Sequence, residues 1–425
     1  MRKILFCLQW YPSFNSANGF CDEEIIRALK RERGYDIHCL TYKTLADKVA
    51  EELDGVKVHR FKRGCFWTWY TDQVQNKKRY RRLAEGLYRF LLRIKEVLTI
   101  PLYPVYEPIL CLRFASAAIA LDKKEHFDVV VAEFHGMDSL WAGYCLKRSR
   151  PSIKFVPLYW DSLAGGYPAK YLPEKYCMSR RGKMEKRLDI IADRIIALKS
   201  TKEVYGRVGL AEDIISKVHF LSIPRVDVTK SKVIRHLPED LKEFIRPGFV
   251  NVLFAGSPGK RSFDYLFDLL DGVGREISVN LIIVCRELFH DELLKKGEEY
   301  NHFSLLVGNY MPYDKLSCLL SSCDVLLNIG NESKFLVPSK IYDYVSYAKP
   351  IMSLYGIDED TSKLMLQRYP AKLLINERDD LMESVAKTVS FFEGLANYSI
   401  NPTLIESLYE DATGKAYVKV LNSLQ

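Results

Sequence analysis

With 425 residues the chain is about three times the ~150 residues of one domain, so a single small binding module is excluded and two substantial domains are expected. Hydrophobic residues at 48% and charged residues at 27%, with 23 Gly and 17 Pro, exclude disordered and fibrous architectures. The net charge of +8 is local: residues 60–113 hold twelve Lys or Arg against Asp72, Glu85, Glu96 and Glu107, which leaves the remainder neutral. One face is therefore expected to meet an anion, either a lipid surface or a phosphorylated substrate.

The apolar run Ile4–Leu8 follows Met1-Arg-Lys and reads as a first strand rather than a signal peptide, because Gln9 and Trp10 end it without a small-residue cleavage site. A loop with Pro12, Ser13, Asn15, Asn18 and Gly19 precedes helical spacing over Asp22–Arg31, and Asp36–Thr41 is the next strand. Strand, loop, helix and strand make a βαβ unit, which needs a parallel sheet covered by helices. The pattern recurs at Phe127–Ala132, Ile153–Leu158 and Arg194–Leu198, so the first domain is doubly wound.

Inside that domain, Phe66-Trp67-Thr68-Trp69-Tyr70 is followed by the basic run Lys77–Arg82 and then by Leu83, Leu87, Phe90, Leu91, Ile94 and Val97 at helical spacing. Such a stretch suits an interfacial helix on anionic lipid, and it equally suits a core-packed helix with a solvated basic back. The most apolar long window, Tyr103–Leu121, carries Pro104, Glu107, Pro108 and Arg113 and is rejected as a transmembrane helix.

Ser222–Gly248, with Pro224, Pro238 and Pro247 among mixed charges, reads as a connection. A second series of strands follows at Asn251–Gly256, Val279–Cys285, Ser304–Val307, Asp324–Ile329 and Lys349–Leu354, and Thr403–Leu424 has the spacing of a terminal helix that docks on the body. The expected organisation is a first Rossmann-like domain at 1–222 with a basic, aromatic helical insertion at 60–113, a linker at 223–249, a second domain at 250–402 and a C-terminal helix at 403–425. No residue-level repeat joins the halves, so a solenoid is excluded. The ten cysteines form no Cys-x-x-Cys pair and no cluster with histidine, a pattern of reduced, mostly buried thiols in a cytosolic protein rather than a disulfide frame or zinc site.

Ligands of open α/β sheets bind beyond the carboxyl ends of the strands, which two such domains would present across a cleft. Gly19 falls between the first strand and the first helix, where backbone can approach a phosphate. The turn Gly256-Ser-Pro-Gly-Lys260-Arg261 combines two glycines, two cations and a following helix, which suits a diphosphate; it is neither a Gly-x-Gly-x-x-Gly nor a Walker loop. Pro338-Ser339-Lys340 opens a helix whose free amides and Ser339 hydroxyl can grip phosphate, with Asp343 one turn deeper as an acceptor for vicinal hydroxyls. His135, after one buried strand, and Asp161, after another, stand at strand ends; a structural His and a helix-capping Asp are the alternatives.

Val337-Pro-Ser-Lys-Ile-Tyr-Asp-Tyr-Val-Ser-Tyr-Ala-Lys-Pro-Ile351 resembles the sugar-nucleotide signature of GT-B glycosyltransferases, particularly the retaining family 4 enzymes of bacterial polysaccharide assembly. Ala192–Ser200 is similar to the last strand of that family's first domain, Ile223-Pro-Arg-Val-Asp227 to the turn before its linker, and Leu253–Gly256 to the strand that opens its donor domain. The resemblance implies a GT-B α/β fold and transfer of a sugar from a nucleotide-diphosphate sugar to a glycan or lipid-linked glycan acceptor. It implies retention without a metal or other cofactor, in the cytoplasm or peripherally at the inner face of the cell membrane, with an anionic membrane surface as partner through residues 60–113 and no nucleic acid. Asp343, seven residues before Pro350, would hold the ribose. Gly19, Gly256, Lys260, Arg261, Ser339 and Lys340 would hold the diphosphate, and His135 and Asp161 would meet the sugar and acceptor.

The family's Glu-x7-Glu pattern is altered, with Phe335 in place of the first acid, Glu332 nearby and Asp343 as the second. Its Arg and Lys pair after the second-domain glycine is compressed into Lys260-Arg261. Two other functions fit the same architecture: a nucleotide-sugar binding protein without turnover, and a nucleotide-sugar epimerase or phosphorylase. The basic aromatic stretch could serve RNA, but no recognition motif accompanies it.

Overall fold

The computed structural model describes the chain except residues 13–16, 33, 46, 165–168, 170–171, 203–211, 233–235, 259–262, 331–338 and 425. Two compact units result: unit 1 is Met1–Pro224 with Gly414–Gln425, and unit 2 is Arg225–Thr413.

In unit 1 the apolar runs become β1 (Arg2–Cys7), β2 (Tyr35–Tyr42), β3 (Ala50–Leu53), β4 (Val56–Phe61), β5 (Val129–Phe134), β6 (Lys154–Tyr159), β7 (Ile195–Leu198) and β8 (Val218–Leu221). They form one sheet in the order β3-β4-β2-β1-β5-β6-β7-β8. Neighbours are parallel except β3 with β4 at the edge. The central pair is registered Ile4↔Val129 and Phe6↔Val131. Both strands are buried along most of their length, as a sheet covered on two faces requires.

Helices α1 (Ala17–Arg31), α2 (Cys65–Gln75), α3 (Arg81–Leu98), α4 (Pro108–Glu125), α5 (Met137–Ser149) and α6 (Glu174–Ile191) belong to the same unit. Helix α1 starts five residues before the apolar spacing first shows at Asp22, so Asn18 and Gly19 lie in its opening turn and not in a loop. That turn carries no repeated apolar face to reveal it. Part of the Tyr103–Leu121 window is α4, a core helix that buries Leu110, Phe114 and Ala118. Among the described residues no helix is long and apolar enough to cross a membrane. All ten cysteines are free thiols.

The terminal helix packs back on the body as expected, but the stretch is broken into Pro402–Leu408, a 3-10 turn at Glu410–Ala412 and a helix over Gly414–Asn422. The last piece lies on α1. A Cβ on Gly414 would stand 2.6 Å from the Glu24 carbonyl and 2.7 Å from the Ala28 Cβ, so only glycine permits this approach. Tyr417 is fully buried there and donates to the Ser222 carbonyl at 2.8 Å.

Unit 2 holds β9 (Val250–Ala255), β10 (Val279–Cys285), β11 (Phe303–Asn309), β12 (Val325–Ile329), β13 (Ile351–Tyr355) and β14 (Lys372–Asn376). Their order is β11-β10-β9-β12-β13-β14, and all are parallel. The helices are α7 (Asp264–Gly274), α8 (His290–Gly297), α9 (Tyr313–Ser322), α10 (Ser339–Ser346), α11 (Thr361–Leu366) and α12 (Leu381–Glu393). In each unit the first strand is central, the next parallel strands extend to one side and the chain then crosses to the other. The crossover sits between β1 and β5 in unit 1 and between β9 and β12 in unit 2, and such switch points open a crevice at the strand ends.

Candidate functional site

In unit 2 the switch point is built from the end of β9, the end of β12 and the first turn of α10. Strand β9 is anchored to α10 by the Ala255 amide, which donates to the buried Tyr344 hydroxyl at 3.1 Å. The next residue, Gly256, has φ +143°, a conformation that favours glycine. A side chain there would also collide with the Lys340 ammonium. Lys340 lies back from the first turn of α10 so that its Nζ stands 4.3 Å from the centroid of the Phe254 ring. A cation and the electropositive end of a helix thus meet at one strand end, next to a backbone without a side chain. Ser339 opens the same helix and is half-buried. Lys260 and Arg261, and Pro338, Phe335 and Glu332, lie outside the described residues.

Asp343 is one turn further along α10, and its side chain is 16% exposed. Its two oxygens accept from two cations of the segment that leads into the unit, Oδ2 from Arg225 and Oδ1 from Lys230 at 3.0 Å. Burial pushes this carboxyl up, but the two cations outweigh it and hold Asp343 below the ordinary carboxylate value. The segment is fixed to α10 as well: the Asp227 amide donates to the Ser346 hydroxyl at 3.0 Å. Sequence reasoning found the Ile-Pro-Arg-Val-Asp turn but gave its arginine no role, and it missed Lys230.

The chain carries one Asp-x-Asp triplet, Asp358-Glu359-Asp360, a spacing able to hold a divalent cation. Asp360 is instead fully buried as the cap of α11, accepting from the Ser362 amide at 2.6 Å and the Lys363 amide at 3.3 Å.

Unit 1 gathers polar groups at its own switch point. His135 is exposed at the end of β5, with Nδ1 3.2 Å from the Asn18 amide nitrogen in the first turn of α1, beside Gly19. Asp161 is exposed just past β6, and among the described residues no hydrogen bond joins it to His135. The unit also holds a buried carboxyl pair absent from the sequence reading. Asp22 accepts from the Trp160 indole at 3.1 Å, and Glu133 is its neighbour. Burial raises both; the Glu133 charge pushes Asp22 further, well above its usual range, whereas the hydrogen bond with Asp22 partly offsets burial at Glu133, which is still pushed up to about 7. A strand-end acid paired to an acid on the facing helix was detectable only with the fold in hand.

A cavity of about 470 Å³ opens at the ends of β1, β2 and β4, walled by α2. Trp10 and Trp67 line it with aromatic side chains, and Lys43, Lys62, Thr44 and Thr71 with polar ones. The Arg63 guanidinium stands over Trp67, 4.0 Å from its ring centroid.

No family model and no curated protein matches the chain. Solved structures match it over its whole length. Anabaena HepE in complex with UDP has a TM-score of 0.55 at 12% identity, with 100% of both chains covered. The fold is GT-B. The apo form of the lipopolysaccharide outer core galactosyltransferase WaaB gives 0.52 at 14% identity over 99% of this chain and 98% of that one. UDP-GlcNAc 2-epimerase from Neisseria meningitidis bound to UDP-GlcNAc gives 0.52 at 12% identity over 99% and 100%. The GT-B framework is thus shared with a transferase and an epimerase alike.

Proposed function

We propose that the protein is a glycosyltransferase that moves a sugar from a nucleotide-diphosphate sugar held by unit 2 to a glycan or lipid-linked glycan held by unit 1, in the assembly of a bacterial surface polysaccharide. The observation that carries the reading is the Lys340 ammonium set against Gly256 at the start of α10 and at the sheet's switch point. Breaking the sugar–phosphate bond builds negative charge on the departing diphosphate, and a prepositioned cation at a helix N-terminus stabilises that charge more than the ground state. In the proposal Lys260 and Arg261 add to this role. Solved GT-B neighbours were crystallised with UDP and UDP-sugars, which supports a ligand of that class.

Asp343 serves two ends. It fixes Arg225 and Lys230, and because a carboxylate offers about four lone-pair sites, those not used by the cations accept from the ribose hydroxyls. His135 and Asp161 meet the sugar and the acceptor, and Gly19 the backbone side of the same region. The Trp10 and Trp67 rings suit stacking on a pyranose, with Lys43 and Lys62 for an anionic substituent. Transfer is proposed as retaining, by attack from the face the diphosphate leaves, and without a metal cofactor.

Calorimetric titration with UDP, GDP, dTDP and ADP is expected to show binding of one of them, and the matching nucleotide sugar is expected to release its diphosphate in the presence of acceptor. Absence of binding by every nucleotide would sink the proposal. A second reading, nucleotide-sugar epimerisation, is favoured by the Asp22–Glu133 pair, since inverting a sugar carbon requires a proton to be taken and returned near neutral pH. An epimer formed without acceptor would decide for it, and binding without either product would decide for a binding protein.

A further inference from the structure

Helix α3 leaves the apolar stripe of the basic insertion facing solvent. Leu83, Phe90, Val97 and Leu98 are 62%, 60%, 64% and 70% exposed, and Leu87 and Ile94 between them are 38% and 39% exposed. At 3.6 residues per turn these positions fall on one side of the helix. In α4, the next long helix, Ile109 and Leu112 are also exposed, at 69% and 61%. The opposite side of α3 is already engaged. Ala84 is buried, Tyr88 stacks on Tyr70 of α2 with centroids 4.4 Å apart, and Lys95 reaches Glu107 at 2.7 Å. Glu107 is gripped in turn by Arg63 at 3.0 Å. The helix is therefore fastened through its polar and aromatic side while a full apolar row stays bare, which is unusual for a soluble surface.

Charge identifies the occupant. Residues 77–98 contain eight Lys or Arg and two Glu. Arg82, Arg89 and Arg93, spaced by seven and four residues, are exposed and form a row along one edge of the stripe. A second copy docking on this face by two-fold symmetry would bring two cationic surfaces together, which repel. An anionic bilayer satisfies both features, taking the leucines and phenylalanine into the headgroup boundary and the arginines against its phosphates. We propose that the outward face of α3 is a docking surface on which the protein lies against an anionic membrane without crossing it. The proposal stands apart from the donor reading, because docking needs neither nucleotide nor turnover.

The full chain is tested for flotation with vesicles of 70% phosphatidylcholine and 30% phosphatidylglycerol, and with pure phosphatidylcholine, at 50 mM and 500 mM salt. Expected is binding to the anionic vesicles at low salt, at least tenfold weaker to the neutral ones and weakened by salt. The variant Phe90→Ser/Ile94→Ser/Val97→Ser and, separately, Arg82→Gln/Arg89→Gln/Arg93→Gln should each lower binding at least tenfold with unchanged circular dichroism. Because all six side chains are exposed, a variant that unfolds is replaced by single substitutions at Phe90 and Arg93, each expected to weaken binding several-fold. No binding of the wild-type chain to anionic vesicles, or equal binding by the folded variants, overturns the proposal. Light scattering that shows a dimer abolished by the serine variant, without vesicle binding, overturns it in favour of self-association. Loss of transfer with vesicle binding intact leaves docking standing and removes only the donor reading.

Discussion

The Lys340 ammonium rests 4.3 Å from the ring centroid of Phe254, so a cation of one element is parked on the strand that leads into Gly256. The ring quadrupole holds the charge where bulk water would otherwise draw it away, and the cation reaches an arriving diphosphate without a search through rotamers. Lys340→Met keeps the stem and removes the charge. Charged hydrogen bonds contribute about 1.5–3 kcal/mol, so nucleoside diphosphate affinity should fall roughly 10- to 100-fold. Thermal stability should change little. Titration calorimetry beside a melting curve checks both, and unchanged affinity would remove Lys340 from the site.

Asp343 pairs with both Arg225 and Lys230, across 118 and 113 residues of chain. Removing the anion from a largely buried cluster deprives two cations of this partner, so Asp343→Asn should lose on the order of 3 kcal/mol. The pH dependence has a definite sign. The folded carboxyl lies below its ordinary 3.8, so its contribution is complete above that pH and fades as pH falls through the lower folded value. Urea midpoints of the two proteins should therefore differ at pH 7 and converge toward pH 3. A gap that persists in acid would mean that packing, not charge, is what the substitution removes.

The strands and their parallel arrangement were legible because sheets covered on both faces need continuous apolar runs, and Ile4–Leu8 or Val279–Cys285 cannot easily be read otherwise. Lys340 and Asp343 were legible from one helix's spacing. Their partners were not. Phe254 and Arg225 reach them only through sheet order and the return of the linker, and no local pattern encodes a contact more than eighty residues away. The stripe on α3 was visible as a stripe, but periodicity does not say whether a helix turns it inward. The break at Thr413, where the terminal stretch changes unit, is hidden because apolar spacing continues on both sides of it.

Ala348 adopts φ +50°, the left-handed region, where α10 ends and the chain turns into Lys349-Pro350. The Cβ of an L-residue crowds the backbone there at a cost of about 1 kcal/mol, and a glycine is the usual helix terminator at this position. Ala348→Gly should stabilise the protein by about 0.5–1 kcal/mol, the relief exceeding the added freedom of the unfolded chain. Denaturant unfolding measures it. A loss of stability would show that the Ala348 methyl packs usefully where it stands.

Glu133 and Asp22 set the alkaline side of the stability profile. The folded Glu133 carboxyl is pushed up to about 7 from an ordinary 4.5, so the native state holds a proton that the unfolded chain has already released across that interval. Stability from this group is therefore complete below about 4.5 and is lost as pH rises through about 7, the opposite sign to Asp343. At 1.36 kcal/mol per pH unit the loss amounts to about 3 kcal/mol. Glu133→Gln carries no proton to lose, and its stability should decline less steeply between pH 5 and 8 than that of the wild type. Parallel profiles for the two proteins would show that Glu133 is ionised in the folded state across that interval.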